Sequence, residues 1–269
     1  MNDEIRIDEK VKLRNAIMII GLDGWGNGGK VSTFTVKYLA DKLEAKKLGE
    51  IPSERFQNHL IQRPLVTIKE GLMESYVPPG NDLFYRKGRK GDQDLVLVLG
   101  FEPHLEWQRY TQAVLSLAEK MDVKRIYTVG GYLADVSHET ETPVSTSTNN
   151  KKIIPELEKA GLELTNYRGP TSVYSEILWR SKEKGLDGVS LWSAVPMYVT
   201  GIYPKAAYQM LKKLTQLIGM DLDLGDLRKR AEEFEVEVEE EEVMGPSEMR
   251  SLIEDMRRRG REKEPTYIH

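Results

Sequence analysis

The chain has 269 residues, 39% hydrophobic and 30% charged, with a net charge of −4 and no cysteine. That length can bury a large core, as one big α/β domain or as a domain with a helical appendage. The balance of charge excludes a global field for nucleic acid or a membrane, and the missing thiol excludes disulfides, thiolate catalysis and cysteine metal sites.

The start, Met1 to Arg14, is polar and lacks the apolar core of a signal peptide. No apolar run approaches the ~20 residues that span a bilayer. A cytoplasmic protein is expected, with neither nucleic acid nor membrane as partner. Abundant Glu, Lys and Arg without cysteine is also the composition favoured by hot-growing organisms.

Ala16-Ile17-Met18-Ile19-Ile20 suits a strand buried on both faces, as in a parallel sheet covered by helices. A glycine loop follows, Gly21-Leu22-Asp23-Gly24-Trp25-Gly26-Asn27-Gly28-Gly29-Lys30, and then Val31, Phe34, Thr35, Tyr38 and Leu39 recur at helical spacing. The helix N-terminus points into the loop, where unpaired N–H groups and the helix dipole can hold an anion.

Two nucleotide motifs nearly fit this loop. Gly24-x-Gly26-x-x-Gly29 has the dinucleotide spacing, but Trp25 would crowd a pyrophosphate and Glu44 lies in the predicted helix instead of ending a second strand. Gly24-x4-Gly29-Lys30 has the Walker spacing, but Val31 stands where a hydroxyl would ligate magnesium, and Ser32 comes one residue late. A tight turn that packs helix on sheet needs no ligand and is the preferred reading.

After that helix, which fades at Lys46-Lys47-Leu48-Gly49, residues 51–64 read as irregular. Leu65-Val66-Thr67-Ile68 and Leu83-Phe84-Tyr85 read as strands on either side of the turn at Pro78-Pro79-Gly80. The run 94–100 is a second buried strand, a helix spans Leu105 to Met121, and Arg125 to Gly131 is the next strand. Ser145 to Asn150 reads as a hydroxyl-rich loop before a helix from Ile153 to Ala160. Val173 to Lys184 is helical and Gly188 to Trp192 a strand.

Pro204 opens a helix whose Ala207, Met210, Leu211, Leu214, Leu217 and Ile218 form one apolar face. A further amphipathic helix covers Asp223 to about Glu240. The acidic run 239–242 lies at the wrong end for its dipole and is expected to fray into a linker closed by Gly245-Pro246. Met249, Leu252, Ile253 and Met256 form a last short stripe. The alternation predicts a three-layer α/β/α sandwich with a mostly parallel sheet, an α/β domain over 1–220 and a C-terminal helical extension and tail over 221–269.

In open parallel sheets ligands gather beyond the carboxyl ends of the strands. The candidate crevice residues there are Asp23, Gly24, Gly26, Asn27, Gly29 and Lys30 in the first loop, then Glu102, His104 and Trp107, then His138 with Glu139. The His and carboxylate set could bind a metal or do acid-base chemistry, but neither paired His nor paired carboxylate spacing supports it, so no metal or cofactor is assigned. No nucleophile elbow or basic-aromatic nucleic-acid motif occurs.

Several of these motifs together resemble the proteasome assembly chaperone two family. Gly-Trp-Gly-Asn-Gly-Gly at 24–29, with its helix to Tyr38-Leu39, is similar to the family's first loop, and Gly130-Gly131-Tyr132 to His138 and Pro143 to its middle motif. The strongest segment is Gly188-Val189-Ser190-Leu191-Trp192, then Val195-Pro196-Met197-Tyr198-Val199 and Pro204-Lys205-Ala206-Ala207. Phe101-Glu102-Pro103-His104 with Trp107 looks like the branch that includes actinobacterial members.

The resemblance, to archaeal and actinobacterial-type members, implies a phosphorylase-like sandwich, homo- or hetero-oligomers, with a homo-oligomer expected here, and a chaperone that gathers proteasome α subunits into rings without catalysis. Partner binding would then fall on a C-terminal hydrophobic-Tyr-any tripeptide. The chain ends Tyr267-Ile268-His269, with its tyrosine one position early and Thr266 before it. The rival readings are an ATP-dependent carboxylate-amine ligase, an older label of the family, and an α/β protein that binds a small anion in its crevice.

Overall fold

The computed structural model describes residues 4–89 and 92–244. The expectations for the tail from Gly245 onward, including its short apolar stripe and Tyr267, Ile268 and His269, lie outside the described residues. Along the chain come β1 (Arg6–Ile7), β2 (Ala16–Asp23), α1 (Val31–Lys42), β3 (Lys46–Ile51), β4 (Leu65–Lys69), β5 (Leu72–Val77), β6 (Asn81–Arg86), β7 (Leu95–Phe101) and α2 (Trp107–Lys120). They are followed by β8 (Val123–Ala134), β9 (Val144–Thr148), α3 (Ile154–Lys159), β10 (Glu163–Leu164), α4 (Val173–Glu183), β11 (Asp187–Pro196), α5 (Pro204–Leu217) and α6 (Gly225–Met244).

Nine strands form one sheet in the order β1-β3-β6-β7-β2-β8-β11-β9-β10. Its centre, β7-β2-β8-β11, is parallel, and its margins add antiparallel pairs. Both faces of that centre are covered, as the continuous apolar runs require. Ile17 and Ile19 of β2 pack with α1, α3, α5 and α6, whereas Met18, Ile20 and Leu22 pack with α2 and α4. The result is the expected three-layer α/β/α sandwich, with four of the predicted α5 residues, Ala207, Met210, Leu211 and Leu214, fully buried.

Three local readings are corrected and one strand is added. Lys46 to Gly49 belongs to β3: Glu44 takes a left-handed turn (φ 49°) that ends α1, and Leu48 is then buried between β1 and β6. Leu72–Val77 is a strand, pairing with β4 in a separate two-stranded sheet. Residues 145–148 are not loop but β9, antiparallel to β11, with the Thr146 and Thr148 hydroxyls donating to the Ser190 and Gly188 carbonyls. Asn150 does act as expected of a cap, its side chain accepting the Lys152 N–H.

The acidic run 239–242 lies inside α6 and does not fray into a linker. Leu227 and Ala231 are buried, Phe234 meets Tyr203 edge-on at 5.6 Å, and Arg228–Glu232 and Lys229–Glu233 pair one turn apart. Once the first turns are docked, propagation through glutamates costs little because Glu is a good helix former.

Asp226 fastens the start of α6 to α1, accepting from Tyr38 Oη at 2.7 Å and Lys42 Nζ at 2.9 Å. Those bonds hold its carboxyl below the usual carboxylate range, while burial and the same contact push the Tyr38 phenol up to about 12. A depressed carboxyl stabilises the fold fully above its unfolded value near ~3.9 and loses that contribution as pH falls through the folded value. We therefore expect Asp226→Asn to lower the melting temperature at pH 7 and to narrow that difference below pH 4, measured by circular dichroism. Gly21 gives a second test, since an added Cβ would lie 2.4 Å from the Ser32 carbonyl oxygen. Gly21→Ala is expected to cost about 1–3 kcal/mol in urea denaturation through overpacking of α1 on β2.

Candidate functional site

Adjacent strands β2 and β7 send their connections to opposite faces of the sheet, α1 on one and α2 on the other. A crevice opens where they part, and Glu102 fills it. Its Oε2 accepts the Trp25 N–H at 3.0 Å and its Oε1 accepts the Val173 N–H at 2.8 Å. Ser172, at the cap position of α4, makes no capping bond, so the carboxylate serves the positive end of that helix in its place. Gly24 permits this approach, because a Cβ there would lie 2.6 Å from Cβ of Glu102.

The glycine loop extends the sheet. The Gly131 N–H donates to the Gly26 carbonyl at 2.9 Å and Asn27 bridges Gly131 in parallel fashion. Gly29 turns with φ 55°, and a Cβ there would press on Tyr203 and Val195. Asn27 Oδ1 accepts the Thr33 N–H in the first turn of α1, and its Nδ2 donates to Asp23 at 2.7 Å. Lys30 Nζ pairs with Asp23 at 3.1 Å. The Thr33 N–H and the Lys30 ammonium, two of the donors expected to face an anion, thus have partners within the loop.

The Walker comparison is resolved by the same geometry. Val31 is fully buried, and the Ser32 hydroxyl is turned inward, accepting the Leu22 N–H and bonding Tyr174 Oη at 2.7 Å. Burial pushes the Tyr174 phenol above its ordinary value, against its bonds to Ser32 and the Leu22 N–H, so it stays protonated.

Of the predicted crevice residues, Asp23, Gly24, Gly26, Asn27, Gly29, Lys30 and Glu102 come together. His104 is engaged elsewhere: its Nδ1 accepts the Asn58 N–H and its own N–H reaches the Phe56 carbonyl. Trp107 donates to the Pro103 carbonyl at 2.6 Å. His138 is buried beside α5, with Nδ1 2.6 Å from Tyr198 Oη and its carbonyl accepting from Lys205 Nζ. Among the described residues no group of three His, Asp or Glu is placed to hold a metal, and no helix is long and apolar enough to cross a membrane.

Beside the crevice lies a groove that the sequence reading missed. The layer of α2 and α4 stops at β11, and between α4 and the bare face of β9 a cavity of about 540 Å³ opens. Trp25, Tyr132, Tyr167, Trp179 and Trp192 line it, with Ser145 and Ser147 from β9. Trp192 is held by its indole N–H to Ser190 Oγ at 2.7 Å, and its ring meets Trp25 and Tyr174 edge-on at 6.3 and 6.0 Å. The period-two serines were the available signal, hidden because the segment read as a loop.

Replacing Glu102 by Ala leaves the Trp25 and Val173 N–H groups without their carboxylate. A loss of about 2–3 kcal/mol is expected in chemical denaturation, together with a weaker near-ultraviolet signal from the Trp25–Trp192 pair.

The comparisons agree with this geometry. The family model described as the PAC2 family matches residues 21–242. Among solved structures, a PAC2 family protein from Streptomyces avermitilis is 29% identical with a TM-score of 0.78, covering 84% of this chain and 95% of its own. A proteasome-assembly chaperone homologue from Mycobacterium tuberculosis is 27% identical with a TM-score of 0.77, covering 83% and 94%. An uncharacterized protein of Methanocaldococcus jannaschii is 23% identical over 93% of this chain and 95% of its own. With the sandwich, the glycine loop and most of its length matched, this chain belongs to the PAC2 family.

Proposed function

We propose that this protein is a proteasome-assembly chaperone that binds proteasome α subunits or their rings. Family membership and the likeness to a mycobacterial chaperone homologue support a chaperone-like role. The observation that carries the binding reading is the β4–β5 hairpin. Leu65, Val66, Ile68, Leu72, Met73, Tyr76 and Val77 are each 49–73% exposed.

Val66 faces Tyr76 and Ile68 faces Met73 across the hairpin, so two apolar cross-strand pairs stand side by side in water. A lone two-stranded hairpin is marginally stable in water at best, and apolar patches of this size mark protein interaction sites. In this reading the hairpin is the part of the chain that meets an α subunit, and the tail with Tyr267, Ile268 and His269 adds a second contact. The working form is a homo-oligomer.

Native mass spectrometry of the full chain mixed with α subunits from its own source tests both surfaces and counts the chain's own subunits. We expect a complex that the double substitution Val66→Glu, Ile68→Glu weakens at least tenfold and that truncation after Glu264 weakens further. If the substituted chain instead falls to monomers while still binding α subunits, the hairpin belongs to the homo-oligomer. Absence of any complex with the full chain overturns the chaperone reading.

A further inference from the structure

The groove between α4 and β9 has the dimensions and chemistry of a ligand site, independent of the hairpin and the tail. Its volume of about 540 Å³ falls within the range of small-molecule pockets. One of its rings is set in place in advance. Trp192 is hydrogen-bonded to Ser190, and an added Cβ on Gly26 or Gly130 would lie only 2.9 or 2.6 Å from that ring. Trp25 and Trp179, which also line the groove, stand 55% and 67% exposed, an apolar surface that a planar ligand would cover.

Charge is distributed along the groove with a direction. The charged residues that line it are Lys151 and Lys182, with no carboxylate among them, and neither lysine makes an ion pair among the described residues. Lys151 follows the end of β9 and Lys182 lies in the last turn of α4. Asn149 ties those two places together, donating to the Leu178 and Leu186 carbonyls and to Ser181 Oγ. Trp25 and Tyr132 lie at the opposite end, where β2 and β8 finish.

Four residues of β9 separate the ends, roughly 13 Å at strand rise. Ser147, exposed on β9, offers a hydroxyl along the way, while the buried Ser145 hydroxyl donates to the Trp192 carbonyl. We propose that this groove binds an elongated organic anion, its planar aromatic body between Trp25, Trp179 and Trp192 and its anionic end at Lys151 and Lys182.

Anilinonaphthalene sulfonate and its uncharged parent, phenylnaphthylamine, share one ring system and differ by the sulfonate. Each is titrated into the full chain, with energy transfer from tryptophan to the probe as readout. Saturable binding of the sulfonate at one site is expected, about tenfold tighter than the neutral probe, the scale of two solvent-exposed charge contacts. The double substitution Lys151→Gln, Lys182→Gln should remove that preference without changing affinity for the neutral probe, and Trp179→Ala should weaken both. All three side chains are exposed, so the fold tolerates the changes. Equal affinity for the two probes, or binding that ignores these substitutions and follows Val66→Glu in the hairpin, overturns the proposal.

Discussion

The arrangement of this protein depends on one close backbone contact, the seating of the glycine loop against the end of β8. Gly131 donates to the Gly26 carbonyl, and a Cβ at Gly131 would stand 2.3 Å from the Gly28 oxygen. The loop is glycine-rich because two main chains meet there with no room for side chains. From that seat α1 is aimed across one face of the sheet, and Trp25 is delivered to the other.

The crevice beside the loop shows how a sheet of this topology can use its ligand position for its own stability. In open α/β sheets the diverging loops leave a pocket where substrates collect. Here Glu102 enters that space from β7 and joins the loop to the start of α4, while Asp23, Asn27 and Lys30 satisfy one another. Helix ends that could hold an anion therefore hold side chains of the same molecule.

What the molecule offers outward is of another kind. The apolar hairpin stands apart from the main sheet, and the aromatic groove opens where the α2 and α4 layer stops short of β9. Both are surfaces on which apolar side chains remain in water, one on an exposed hairpin, the other in a ligand-sized groove. A chaperone's work, in the role proposed above, calls for the first. The second, by the inference drawn above, is a place for an elongated organic anion.

The amino-acid sequence by itself determined the central layers. The apolar runs at 16–20 and 94–100 and the helical faces of α1, α2 and α5 are local patterns, and each recurs where its periodicity places it. The glycine loop was legible as a tight turn for the same reason, and its motif together with Gly188 to Trp192 carried the family resemblance. Tertiary structure alone decided the rest. Lys46–Ile51, with two lysines, a glycine and a glutamate, has weak strand propensity, and Ser145–Thr148 reads locally as a hydroxyl-rich turn; both become strands where β6 and β11, far along the chain, supply hydrogen-bond partners. Glu102 and the Val173 N–H, or Trp25 and Trp192, are separated by long stretches of sequence, so no local pattern could announce the crevice bridge or the groove. Such sites arise from which strands lie side by side, and that is settled by the packing of the whole sheet.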